Sequence, residues 1–401
     1  MNARVTAVLV GGIAASLAGV ARADHAPVPD RQSFTTLVIT PLSIEGLTGD
    51  RAGNLYTTGR EVAPTPCPVW QIDIAHRTLT TVGFIPNPTG CGPAGITFDA
   101  AGDLYVADGS GTGMVWKVTP DPTQPETAIA FATGVPGTNG LAFDRRGNLW
   151  TGDGGAGQGR VWRIDPDGGT CEAAVGGFAG CVEAFRIQPM RNGADLGGTI
   201  ATPGVGRQNN SVPNNNAQNI VANGVAFNRE GDVFVADTAR GAIWKVELHR
   251  NGTVKSRTGC DTTFTANTLC LDNLFVAHPY LEGADGIALD RDENIWVSAN
   301  ERNAIAVVTK RGVVEAFRNP ANAAGLRNSA DAAADNHILE FPTSPFLSGK
   351  TFCTTSSDGN RRDNSPSTAG EINSGGPLGT RGKISCMDQD LRTPGLPLPV
   401  R

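Results

Sequence analysis

Glu45, Asn139, Asn223 and Asp285 stand at one position of a repeated phrase, each directly before a glycine. A fifth copy has Ala94 there, and a divergent sixth has Thr343 at about the same place. Two carboxylates and two carboxamides are all oxygen donors, with no histidine or thiol among them. Hard oxygen ligands select Ca²⁺, Mg²⁺ or Mn²⁺ over zinc or copper. A mixed set carrying two charges favours Ca²⁺. Asn-Gly and Asp-Gly are also ordinary turn dipeptides, and one alone would say little. Turn chemistry does not call for Glu45, nor for four oxygen donors at one register.

That register has to be positioned by the repeat. The copies occupy residues 44–56, 93–108, 138–150, 222–238 and 284–297. Seven residues after the first glycine comes a second, at Gly53, Gly102, Gly147 and Gly231, with Glu293 in the fifth copy. This spacing predicts two short strands joined by a tight hairpin that needs positive φ. A third strand follows each hairpin and carries Trp70, Trp116, Trp162 or Trp244 at one repeat position, which points to packing between sheets. The sixth copy runs over 341–355, with its third strand at 382–386. Six units of three or four strands predict an all-β fold, a six-bladed β-propeller. Residues 33–40 form a β-branched strand that can complete the last blade and close the ring. First strands line the channel of a propeller, so the variable position would converge near its axis.

The remaining features set boundaries and compartment. Residues 1–23 read as a signal peptide: a short basic start, an apolar run, and Ala21-Arg22-Ala23 as a cleavage pattern. Eight cysteines fall in four successive pairs, predicting disulfides 67–91, 171–181, 260–270 and 353–386 in an exported, periplasmic or extracellular protein. The net charge is −6, with no basic stripe and no basic amphipathic helix. These features argue against nucleic-acid or membrane partners and leave a small-molecule substrate; the oligomeric state stays open. The propeller is expected over 33–390, with an insertion at about 165–220 and a C-terminal tail at 391–401 that is frayed from Pro394 to Arg401. His76, His249, His278 and His337 share no repeat position. Asp108, Asp153 and Asp237 end their second strands in matching places, where hydrogen bonding within the blade accounts for them.

The ordered set Glu45-Gly46, Asn139-Gly140, Asn223-Gly224 and Asp285-Gly286, with Thr343-Ser344-Pro345-Phe346-Leu347-Ser348-Gly349, resembles the senescence marker protein / gluconolactonase / luciferin-regenerating enzyme family. The related diisopropylfluorophosphatase and bacterial lactonases look similar. The resemblance implies a six-bladed propeller with a divalent cation in its channel, held by Glu45, Asn223 and Asp285. Asn139 would be a further ligand or would contact substrate. Gly137 stands where gluconolactonase-like members carry an arginine. The reading that follows is a Ca²⁺-dependent hydrolase of lactones with Asp285 as base or nucleophile. Phosphotriester or aryl ester hydrolysis at the same metal and a non-catalytic ligand-binding propeller are the alternatives.

Overall fold

A computed structural model describes residues 33–60, 65–86, 90–110, 113–154, 157–171, 179–188, 220–318, 339, 341–357 and 382–398. The leader at 1–23, the polar run at 209–216, the tract at 358–380 and His337 lie outside the described residues. The described strands form six sheets of four or five strands, the blades of a propeller, antiparallel except for two short strands at the rims.

From channel to rim, the first blade is Thr48–Gly49, Leu55–Thr58, Cys67–Asp73 and Thr78–Ile85. The second is Pro93–Phe98, Leu104–Asp108, Met114–Val118 and Ile129–Thr133. The third is Leu141–Phe143, Leu149–Gly152, Arg160–Ile164 and Cys181–Arg186. The fourth is Val225–Phe227, Val233–Asp237, Ala242–Val246 and Leu274–Ala277. The fifth is Ala284–Leu289, Ile295–Ala299, Ala304–Thr309 and Gly312–Arg318. The sixth is Pro342–Ser348, Thr351–Ser356 and Lys383–Met387, and its outer strand is Phe34–Ile39 from the start of the described chain. Short strands at Glu126–Thr127 and Gly169–Thr170 add in parallel to the rims of the first two blades.

The hairpins form for the reason the spacing predicts. Gly53, Gly102, Gly147 and Gly231 all have positive φ, and Glu293 takes the same left-handed conformation at φ 65°. An aspartate seven residues before the second-strand aromatic's successor anchors most of these turns. Asp144 accepts from the backbone N–H groups of Arg146 and Asn148 and, on its other oxygen, from Asn148 Nδ2 and Trp150 Nε1. Asp290 repeats the pattern with Asp292, Asn294 and Trp296. Asp50 and Asp99 do so with the hydroxyls of Tyr56 and Tyr105. Packing between blades uses the same aromatics. Tyr56, Tyr105 and Trp150 meet Phe98, Phe143 and Phe227 of the next blade edge to face, with centroids 4.9, 5.0 and 5.8 Å apart. Trp70, Trp162 and Trp244 are buried in the hydrophobic clusters, as expected of packing residues.

All four disulfides join the pairs that the sequence predicts: Cys67–Cys91, Cys171–Cys181, Cys260–Cys270 and Cys353–Cys386. Four bridges are consistent with an oxidising, exported location. Among the described residues no helix is long and apolar enough to cross a membrane.

Two expectations need correction. The span 165–220 is not wholly an insertion, because Cys181–Arg186 within it is the rim strand of the third blade. The C-terminal stretch is not frayed over its described part. Gly395 donates to the Gly349 carbonyl and Leu396 to the Leu289 carbonyl, while the Arg291 N–H donates back to Pro394, and Leu391 and Leu396 are buried. The segment is tied across the hairpin ends of the fifth and sixth blades by contacts that no local pattern announces.

Candidate functional site

The residues before the first glycines sit where consecutive inner strands touch. A methyl group on Gly46 would overlap the Ala94 carbonyl, one on Gly95 the Asn139 carbonyl, and one on Gly140 the Asn223 carbonyl. The series continues from Gly224 to Asp285 and from Gly286 to Thr343. It closes where the Thr343 and Thr355 hydroxyls donate to the Glu45 carbonyl at 2.8 and 2.6 Å. Backbone hydrogen bonds reinforce two of the steps, Gly95 N–H to Asn139 and Gly224 N–H to Asp285, both at 3.1 Å. Glu45, Ala94, Asn139, Asn223, Asp285 and Thr343 therefore follow one another around a single ring at the start of the inner strands. The first glycine of each phrase is required by this close approach, since any Cβ there would strike its neighbour's backbone.

The side chains on the ring are held differently. Glu45, Asn223 and Asp285 are 8%, 1% and 5% exposed, and Asn139 is half-buried. Glu45 forms an ion pair with Arg60, whose Nε also donates to the Pro93 carbonyl at 3.2 Å. Asp285 accepts from Asn300 Nδ2 on Oδ2 at 2.9 Å. Asn223 donates from Nδ2 to the Thr238 hydroxyl at 2.9 Å, and its Oδ1 is buried with no hydrogen-bond partner. A buried carbonyl oxygen left without a partner is costly and suits a site that receives a Lewis acid or donor.

Behind the ring lie buried ion pairs. Arg160 donates to Asp153 through Nε at 2.6 Å and its backbone N–H at 2.9 Å, yet burial pushes the Asp153 carboxyl up to about 7 against the pull of that guanidinium. Asp237 is raised by burial too, and accepts from Arg240 and from Trp244 Nε1. Asp108 accepts from Ser110 and from Trp116 Nε1. All three aspartates bond within their own blades, as the matching strand-end positions suggest. His278 accepts from the Tyr280 N–H and sits outside the ring positions.

A hard divalent cation fits this donor set. Two carboxylates, an unpartnered buried carbonyl and Asn139 supply only oxygen, and Arg60 offsets part of the negative charge. Among the described residues no three His, Cys, Asp or Glu side chains gather into a metal cluster, so the carboxamides would have to complete the site. Sequence reasoning missed Arg60, Thr238 and Asn300. The signal that would have found them is a constant offset: each lies fifteen residues after the ring residue it touches.

The class defined by this arrangement is a closed six-bladed propeller with a polar ring at one end of its channel. A family model described as the SMP-30/Gluconolactonase/LRE-like region matches residues 186–325, the stretch holding Asn223 and Asp285, and so meets the resemblance read from the sequence. A search of curated proteins gives no match. Among solved structures, a luciferin-regenerating enzyme is 14% identical with a TM-score of 0.53, over 91% of this chain and 97% of its own. A calcium-binding regucalcin from Agrobacterium tumefaciens is 13% identical with a TM-score of 0.52, over 90% and 95%. A PQQ-bound aldose sugar dehydrogenase from Streptomyces coelicolor is 14% identical with a TM-score of 0.52, over 90% and 100%. These likenesses show the fold, and the diversity of their names shows that the fold does not choose a chemistry.

Proposed function

We propose that the protein is a calcium-dependent hydrolase of lactones, working at the polar ring. What supports this reading is that Glu45, Asn139, Asn223 and Asp285 stand at the starts of inner strands around one ring, with Asn223 Oδ1 buried and unpartnered. The match of residues 186–325 to a gluconolactonase-like family supports it. Glu45, Asn223 and Asp285 would hold the cation, with Asn139 as a further ligand or a substrate contact. A cation held there supplies Lewis-acid polarisation of the substrate's carbonyl oxygen.

The chain's own residues supply the rest. Asp285 takes the proton of the attacking water as general base, or itself attacks as nucleophile. Asn300 fixes one carboxylate oxygen of Asp285 and so limits the directions in which the other can act. Arg60 holds Glu45 in place as its ion-pair partner. The half-buried amide of Asn139 can donate to a substrate oxygen or accept from its hydroxyl.

The test joins elemental analysis of purified protein to an activity screen on lactones, aryl esters and phosphotriesters, with and without chelator. Chelation is expected to abolish lactone hydrolysis and lower the thermal midpoint, because a ligand bound only by the folded state stabilises it. Turnover of phosphotriesters or aryl esters alone would move the substrate class. Protein without bound cation, indifferent to chelator and inactive on the panel, would leave a ligand-binding propeller instead.

A further inference from the structure

The fixed offset between ring residues and their partners defines a second functional position in the repeat. Arg60, Gly109, Gly154, Thr238 and Asn300 lie fifteen residues after Glu45, Ala94, Asn139, Asn223 and Asp285. Side-chain types at the two positions match in four of the five pairs. Ala94, which has nothing to orient, is followed by a glycine. The two carboxylates are acceptors only, and each meets a donor: the Arg60 guanidinium on Glu45 and Asn300 Nδ2 on Asp285. Asn139 is followed by Gly154, which offers it no side chain. Asn223, which could present either end of its amide, meets a hydroxyl.

That hydroxyl decides which end. Thr238 Oγ1 donates to the Ala284 carbonyl at 2.6 Å. A hydroxyl has one proton, so toward Asn223 it can only accept. Only Nδ2 of the amide can donate, and it does so at 2.9 Å. The amide is thereby turned so that Oδ1 lies buried without a partner. An asparagine flipped the other way would set an NH2 group, with its two hydrogens, where a cation needs an oxygen.

We propose that Thr238 is the positioning residue that fixes the carbonyl oxygen of Asn223 for cation binding, and that the position fifteen residues after the ring does the same work in the first and fifth blades through Arg60 and Asn300. The inference rests on the cation reading of the site. Outer partners of metal ligands typically contribute about 10–100-fold in affinity. Thr238→Val keeps the volume and removes the hydroxyl, and Thr238→Ser restores it.

Ca²⁺ titration calorimetry on the full chain, with side-chain amide NMR of Asn223 in the cation-free protein, tests this. Expected are matching Ca²⁺ affinities for wild type and Thr238→Ser, and a loss of about 10–100-fold in Thr238→Val at an intact fold. The Asn223 amide protons should be protected from exchange in the first two proteins and unprotected in the third. Undiminished affinity in Thr238→Val, or an unchanged amide signal, overturns the proposal. Absence of Ca²⁺ binding by the wild type defeats the hydrolase reading and the functional half of this one, and the amide signal then judges the orientation by itself. Should Thr238→Val not fold, Thr238→Ala takes its place with the same expectations.

Discussion

Asp285 combines burial, a carboxylate and a donor from Asn300 on one oxygen. Replacing it with asparagine preserves shape and removes both the base and one of two ring carboxylates. Asp285→Asn is expected to cut hydrolysis of whichever ester or lactone the protein accepts by at least about 100-fold, the lower range for a lost general base. Steady-state rates together with circular dichroism check this, and an active, folded variant would remove Asp285 from the chemistry. The ring residues were legible because repetition supplies a background against which one variable position stands out. Their partners were not, because Arg60, Thr238 and Asn300 share no chemical type. They become a set only when each is paired with the residue it touches on the neighbouring strand.

At the level of strands and turns, the sequence carried most of the answer. Positive φ was readable from Gly53, Gly102, Gly147 and Gly231, and the aspartates capping the hairpins stand at a constant distance from an aromatic that carries an N–H or O–H. The fourth blade shows the logic by exception. Phe234 has no polar hydrogen, and its turn carries Asn228 in place of aspartate, accepting from the Asp232 N–H at 2.8 Å. What could not be read was the reason for the first glycine, since the carbonyl it must clear belongs to the next blade. Glu293 is the turn's weak point. It holds a left-handed conformation that glycine adopts without cost, and its carboxyl is raised by burial and by neighbouring Glu230. Glu293→Gly is expected to raise stability by about 1 kcal/mol, seen as a higher urea midpoint at unchanged slope. A lower midpoint would mean that its contact with the Arg229 N–H outweighs the backbone strain.

Across the whole molecule, the two chain regions that flank the repeats seal different openings. Phe34–Ile39 completes the sixth blade against Lys383–Met387, and Phe34 packs on Phe317 and Phe352, covering what would be an open edge. The C-terminal segment works at the channel's other end. Leu396 and Leu398 border an apolar cavity of about 90 Å³ with Phe143, Phe227, Leu289 and Leu347, residues at the hairpin ends of the inner strands. The polar ring lies at the opposite ends of those strands, roughly 13 Å away for four residues at the usual rise. Under the proposed function ligand meets the ring, so this placement separates stability from binding. Removing residues 394–401 takes away the burial of Leu396 and the backbone hydrogen bonds of Gly395 and Leu396, worth about 2–4 kcal/mol together. Urea unfolding should register that loss, while calorimetry should find Ca²⁺ affinity within about twofold of the full chain, because the segment's described backbone hydrogen bonds go to Gly349, Leu289 and Arg291 at the hairpin ends; each factor of ten in affinity corresponds to about 1.4 kcal/mol, so a coupling of that size would be visible. An unchanged unfolding midpoint would mean that the segment does not seal the channel, and a large loss of affinity would mean that the two ends of the channel act as one unit.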